Sequence, residues 1–155
     1  MANNNSDTVT VVCASDDNYA MPLSVTACSI IKNLPSDQNL NLYVLDGGIQ
    51  TKNLDKIRRS LDSSRCKLTF FNTKDRFKEV PTTDHFTEAI FHRLLIPELL
   101  PTDLQKVIYL DCDLLVLTDI SELWNIEIGD YHLLAVQDFL ITTISKGVVN
   151  LSHQI

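Results

Sequence analysis

Two kinds of apolar pattern alternate along this chain. Short β-branched runs end in polar or glycine-containing breaks, and longer stretches between them repeat apolar residues at helical spacing. The run from Thr8 to Ala14 is β-branched and apolar, the pattern of a buried strand, and Ser15-Asp16-Asp17-Asn18 breaks it with turn-forming residues. From Met21 to Leu34 the positions Leu23, Ala27, Ile30, Ile31 and Leu34 predict a helix, which Pro35 stops. Leu40 to Leu45 predicts a second strand, closed by Asp46-Gly47-Gly48. Thr51 to Leu61 carries Leu54, Ile57 and Leu61 on one face and predicts an amphipathic helix; Lys67 to Phe71 predicts a third strand. Asp75 to Asp84 has no period. Phe86 to Leu100 predicts a helix bent or ended near Pro97, because proline lacks the N–H that a helix interior needs. Lys106 to Leu110 predicts a fourth strand, Ser121 to Trp124 a helical turn, and Tyr131 to Gln137 a fifth strand.

Strands alternating with helices predict an α/β fold with a mostly parallel sheet and helices on both faces. Ligands of such sheets bind beyond the carboxyl ends of the strands. Asp16, Asp46 and Asp111 each follow an apolar strand, so they are expected along one rim. Residues 1–7 are expected to be a disordered polar N-terminus, 8–138 one binding domain, and 139–155 an incomplete C-terminal tail, since no capped periodic element closes the chain.

The densest chemistry lies in Tyr109-Leu110-Asp111-Cys112-Asp113, where two carboxylates flank one residue behind a predicted strand. Like charges so close repel and call for a cation. Oxygen ligands suit hard metals such as Mg, Mn and Ca, and Mg in particular commonly shares its coordination with substrate phosphates. Asp111 and Asp113 are therefore candidate ligands of a metal–phosphate site.

Composition narrows the partners. The chain has 155 residues, 45% of them hydrophobic and 21% charged, enough for one domain with a core. A formal net charge of −7 argues against nucleic acid or an anionic membrane as the main partner. The four cysteines form no C-x-x-C pair, so they read as small buried residues of a reducing, cytoplasmic protein rather than zinc ligands. Met1 to Asp7 is polar and unlike a signal peptide, and no apolar run is long enough to span a membrane. His85 and His92 read as surface or helix-packing residues, and Asp16-Asp17 as a cap for the helix that follows.

Several separated segments together resemble glycosyltransferase family 8, which includes glycogenin and bacterial lipopolysaccharide galactosyl- and glucosyltransferases. Val11 to Tyr19 resembles that family's first strand and nucleotide loop, and Tyr43 to Ile49 its second strand and turn. Phe91-His92-Arg93-Leu94 resembles the segment carrying a sugar-nucleotide arginine. Tyr109 to Asp113, with Asp119 to Trp124, resembles its D-x-D motif and the segment after it. The resemblance implies a GT-A-type, Rossmann-like fold and Mn2+- (or Mg2+-) dependent, retaining transfer of galactose or glucose from a UDP-sugar to a saccharide or lipopolysaccharide-type acceptor. It implies that Asp111 and Asp113 ligate the metal, and that Ala14, Asp16, Asn18 and Tyr19 hold uracil and ribose. Arg93 would contact the donor sugar or a phosphate, and Cys112 would lie against the nucleotide between the two acids.

The family continues past the position of Asp138 with an acceptor region and a later histidine, in a His-x-x-Gly-x-x-Lys-Pro-Trp-like segment, that supplies the third metal ligand. No such segment occurs here. The expectation is an N-terminal, nucleotide-binding half, apparently truncated at the C-terminus, whose unpaired sheet edge favours self-association. Two alternatives stay open: a non-catalytic UDP- or UDP-sugar-binding remnant, and a haloacid-dehalogenase-like phosphatase, in which Asp111 would attack phosphorus.

Overall fold

A computed structural model of the chain describes residues 8–61, 64–80 and 91–136. The chain divides into two compact units, Met1–Asn125 and Ile126–Ile155.

In the first unit, strand β1 (Thr8–Ser15) leads through a short turn into helix α1 (Ala20–Asn33). Strand β2 (Asn39–Asp46), helix α2 (Thr51–Ser60) and strand β3 (Cys66–Asn72) follow. A 3-10 turn, His92–Leu95, runs into the short helix α3 (Ile96–Leu99); strand β4 (Ile108–Tyr109) and helix α4 (Ser121–Trp124) complete the unit. The sheet is parallel throughout, in the order β3-β2-β1-β4.

Side-chain alternation sorts β1 and β2 onto two faces. Val9, Val11 and Cys13 of β1 and Leu40, Leu42 and Val44 of β2 join Leu23, Ala27 and Ile30 of α1 and Ile57 of α2 in the larger core. Val12, Ala14, Tyr43 and Leu45 point the other way and pack with Leu100 and, behind it, Ile96, Leu99 and Tyr109. Burial on both faces is why these two strands are apolar runs rather than alternating ones. The fold is thus the expected mostly parallel sheet with helices on both faces, two long helices on one and a short one on the other.

Helix α1 ends where the sequence stops it. The Arg65 guanidinium, from the loop before β3, donates to the carbonyls of Ile31 (2.8 Å) and Leu34 (3.3 Å), oxygens the helix end leaves without intrahelical partners, and to Pro35 (2.9 Å) beyond it.

Three elements differ from the sequence expectation. Strand β4 covers only Ile108–Tyr109; Lys106, before it, lies over the Trp124 ring and donates to the Trp124 carbonyl. The helix expected from Phe86 lies outside the described residues up to 90; from His92 the chain makes a 3-10 turn, and an α-helix restarts with Pro97 in its first turn, where a missing N–H does no harm. The expected fifth strand is absent among the described residues: Tyr131–Val136 forms no strand, and Tyr131 instead bonds back to Ile128 through a turn with Gly129 at φ +61°. The expected disordered start, 1–7, and the expected incomplete tail, 139–155, also lie outside the described residues.

Candidate functional site

The sheet order reverses beside β1. From β1 the chain steps outward to β2 and β3, then returns to lay β4 on β1's opposite edge. In open α/β sheets the crevice at such a reversal, outside the carboxyl ends of the strands, is where ligands bind. The loops that border it here are Asp16–Tyr19, after β1, and Asp111–Asp113, after β4. Tyr109 pairs with Val12, and the Leu110 N–H still donates to the Val12 carbonyl at 3.0 Å, so the two loops leave the sheet side by side.

Asp16, Asp17 and Asp46 each have local work. Asp16 Oδ1 accepts from the backbone N–H of Asn18 (2.9 Å) and Tyr19 (3.1 Å), a turn that brings Tyr19, 47% exposed, to the start of α1. Asp17 does not cap α1; its Oδ1 accepts from the Gln50 N–H (2.8 Å) and the Asn53 amide (2.9 Å) at the start of α2. Those two hydrogen bonds, Gln50 first, hold its carboxyl below the ordinary value of 3.8. Asp46 Oδ1 accepts from Gly48 and Ile49 N–H and shapes its own turn, where Gly48 takes φ +119°.

Arg93 joins the arginine segment to the acid pair. Its Nη2 donates to Asp111 Oδ1 at 3.1 Å, and its guanidinium lies 4.5 Å from the centre of the Tyr109 ring. Ring and carboxylate together hold the fork of donors over the end of β4. Burial raises the Tyr109 hydroxyl's pKa, and the Arg93 charge opposes that shift only in part. Asp113 is exposed and, among the described residues, has no hydrogen-bonding or ionic partner, so both of its oxygens are open to a ligand.

Two of the sequence candidates face inward. Ala14 is 6% exposed in the smaller core, and Cys112 is 9% exposed in the larger one. Any contact they make with a ligand is through the backbone. Burial raises the Cys112 thiol, with Asp113 adding to the shift, and burial pushes Cys13 up to about 12, so neither is a ready thiolate.

Two features escape sequence patterning. The apolar stretch after the acids forms no strand; Leu115 and Leu117 are 62% and 78% exposed. Its backbone is held instead by a polar face of α1. Thr26 Oγ1 bonds the carbonyls of Cys112 (3.0 Å) and Leu114 (2.7 Å) and accepts from the Leu114 N–H (3.0 Å). Ser29 Oγ accepts from the Val116 N–H (2.9 Å), and the Asn33 amide donates to the Val116 carbonyl (2.9 Å). The only sequence signal is three small polar residues at i, i+3 and i+7 on an otherwise apolar helix face. The second feature is His92, which is buried at 2% exposure, lies 3.3 Å from Thr73 Oγ1 and stacks on Phe77. It lies so close to the turn after β2 that a Cβ on Gly47 would meet its Cε1 at 2.6 Å.

The donor chemistry here is that of hard-metal sites, carboxylate oxygen with no thiolate available. Asp111 keeps Oδ2 beyond its bond to Arg93, and Asp113 keeps both oxygens, so the pair fits a divalent ion that completes its coordination elsewhere. Among the described residues no group of three or more His, Cys, Asp or Glu is arranged to hold a metal alone. A cavity of about 350 Å3 opens between α1 and α2, lined by Asn18, Met21, Ser24, Asn53, Lys56 and Ile57 among others. Neither Asp111 nor Asp113 lines it, so the acids sit on an open rim.

The family model described as Glycosyl transferase family 8 matches residues 10–154. General stress protein A of Bacillus subtilis is 33% identical over 130 residues, covering 83% of this chain and 46% of that protein. A putative glycosyltransferase of Haemophilus influenzae is 35% identical over 138 residues, 88% of this chain and 41% of that one. A crystal structure of the galactosyltransferase LgtC in complex with donor and acceptor sugar analogs superposes with a TM-score of 0.75 at 31% identity, over 85% of this chain and 48% of that chain. The chain thus spans less than half the length of these relatives. It belongs to glycosyl transferase family 8.

Proposed function

We propose that this member of glycosyl transferase family 8 binds a UDP-hexose with Mn2+ or Mg2+ at the β1–β4 rim, for retaining transfer of the hexose to a saccharide acceptor. The observation that carries the reading is the Arg93–Asp111 contact of 3.1 Å at the point where the strand order reverses, with Asp113 exposed beside it. That contact brings a fork of phosphate-binding donors and two metal-binding acids onto one edge. A phosphatase reading fits the chain less well, since a nucleophilic acid of that kind belongs on a first strand, and these acids follow the fourth. The family match and the LgtC likeness support a sugar-transfer lineage.

In this reading Asp113 and Asp111 would hold the metal, which when bound would supply Lewis-acid stabilisation of the leaving diphosphate. Tyr19 offers its exposed ring to uracil, and the second oxygen of Asp16 accepts from the uracil N–H while the first keeps the turn. Ala14 and Cys112 contact the nucleotide through their backbone groups. Arg93 is held by Tyr109 and Asp111 and reaches the phosphate or the sugar. Its exchange of one carboxylate for a phosphate conserves charge pairing, so the cost of moving it is small.

Calorimetry with UDP, UDP-glucose and UDP-galactose, with and without Mn2+, tests this. Binding is expected to require the metal and to be lost in Asp113→Asn. Binding indifferent to both would remove the reading. Release of UDP from the sugar nucleotide then separates an enzyme from a binding remnant.

A further inference from the structure

We propose that Thr26 is a positioning residue that aims Asp113, so that helix α1 sets the metal acid and the nucleotide loop from one rigid body. The inference rests on the metal–nucleotide reading above and adds to it the group that orients the acid.

The geometry is specific to Asp113. The peptide before Asp113 carries the Cys112 carbonyl, and the peptide after it carries the Leu114 N–H. Both are bonded to the same atom, Thr26 Oγ1, at 3.0 Å each. A residue has two soft backbone torsions, and each is fixed once the peptide plane on its side is fixed. Thr26 therefore restrains both torsions of Asp113 and with them the direction of the Cα–Cβ bond from which its carboxylate projects. A β-strand would fix such planes through a neighbouring strand, but β4 has already ended at Tyr109. The helix face replaces the missing neighbour.

The anchor is rigid. Thr26 is 0% exposed, and its hydroxyl proton serves the Cys112 and Leu114 carbonyls, with the shorter contact, 2.7 Å, to Leu114. Ser29 Oγ donates to the Thr26 carbonyl (2.7 Å) and receives the Val116 N–H, which continues the ladder one step beyond the acids. The same helix begins at the Asp16–Tyr19 turn, where the Leu23 N–H donates to the Tyr19 carbonyl at 2.9 Å. The turn of the nucleotide loop and the anchor of the metal acid are thus tied to points two turns apart on one helix, roughly 10 Å along its axis. The rim in this way has a preset spacing between the base end and the diphosphate end of its ligand.

The test compares Thr26→Val, isosteric but without the hydroxyl, with Thr26→Ser, which restores it, and with Ser29→Ala, which breaks the ladder beyond the acids. Calorimetry measures UDP binding with Mn2+ and with chelator, and urea unfolding measures stability. Thr26→Val is expected to lose about 10–100-fold in Mn2+-dependent affinity, the usual effect of losing a group that orients a metal ligand. Metal-free UDP binding stays unchanged. Thr26→Ser recovers the Mn2+ increment, and Ser29→Ala lowers the urea midpoint while leaving that increment intact. Thr26→Val binding Mn2+–UDP like the native protein, or Ser29→Ala weakening it equally, overturns the positioning role alone. Native protein that binds UDP no better with Mn2+ overturns this role together with the reading it rests on. A measurement needing no variant stands beside these: the Leu114 amide is expected to exchange slowly with solvent although no strand pairs with it, and fast exchange there contradicts the anchor.

Discussion

Gly47→Ala sets two opposed effects against each other, and the structure decides which wins. Gly47 does not take a left-handed φ, unlike Gly48 and Gly129, so alanine is conformationally acceptable there. Reduced freedom of the unfolded chain alone would stabilise the protein by about 0.4–1 kcal/mol. The new methyl, however, would stand 2.6 Å from His92 Cε1 and 3.2 Å from its Nδ1. Ordinary contact requires the ring to retreat by nearly 1 Å. His92 has nowhere to go, being 2% exposed and lodged between Thr73 and the Phe77 ring. Overpacking of this kind costs about 1–3 kcal/mol, so a net loss of about 1–2 kcal/mol is expected. Urea unfolding followed by circular dichroism, extrapolated to water, measures it. The same substitution in a His92→Ala background lacks the clash and should be neutral or stabilising, a reversal of sign that a double-mutant cycle isolates. A native-like Gly47→Ala, or the same loss in both backgrounds, would refute the steric account.

Other expectations follow from single contacts. Arg93→Ala should leave stability within about 1 kcal/mol, because its ion pair is solvent-accessible, with the Arg93 and Asp111 side chains 40% and 59% exposed. It should weaken UDP-hexose binding by about 10–100-fold, the equivalent of losing charge-assisted hydrogen bonds; the opposite ranking in unfolding and calorimetry would place Arg93 in the scaffold instead. Asp17→Ala should lower the urea midpoint at pH 7. Because Gln50 and Asn53 hold the Asp17 carboxyl below 3.8, its contribution is present above that pH and fades as pH falls through the lowered value, so the difference between the proteins should shrink from pH 5 to pH 3. A pH-independent difference would contradict that origin. At pH 8 a thiol reagent should modify exposed Cys28 first, since burial pushes Cys66 up to about 11 and Cys13 up to about 12; peptide mapping that finds Cys13 or Cys112 modified before it would show the core to be open.

What the sequence makes legible follows from burial. Strands β1 and β2 read as apolar runs because both faces are covered, and α1 stops at Pro35 because proline cannot continue it. Asp16 and Asp111 are visible because polar residues beside a buried strand stand out. Hidden are the contacts made by side chains across long separations. Thr26 reads as an ordinary helix position until Cys112 and Leu114 are seen against it, and His92 reads as a surface or helix-packing residue, its fit against Gly47 hidden. The stretch Leu114 to Leu117 shows the limit most clearly. Its composition is that of a core strand, yet its backbone partners are hydroxyl and amide groups of a helix, which no hydrophobic period records. Tyr131 to Val136 fails for a related reason: a β-pattern becomes a strand only beside a partner, and none lies among the described residues. Family-level pattern carried the rest, since no single acid or arginine specifies a nucleotide sugar.

Paramagnetic broadening tests the central claim most directly. Mn2+ titrated with UDP into isotopically labelled protein should erase the amide signals of Asp16 to Tyr19 and of Asp111 to Leu114. Thr8, Leu40 and Cys66, at the far ends of their strands, should keep theirs. Asp113→Asn should abolish the selective loss. Broadening that is uniform, that centres away from the β1–β4 rim, or that persists in Asp113→Asn would contradict a metal–nucleotide site between these two loops.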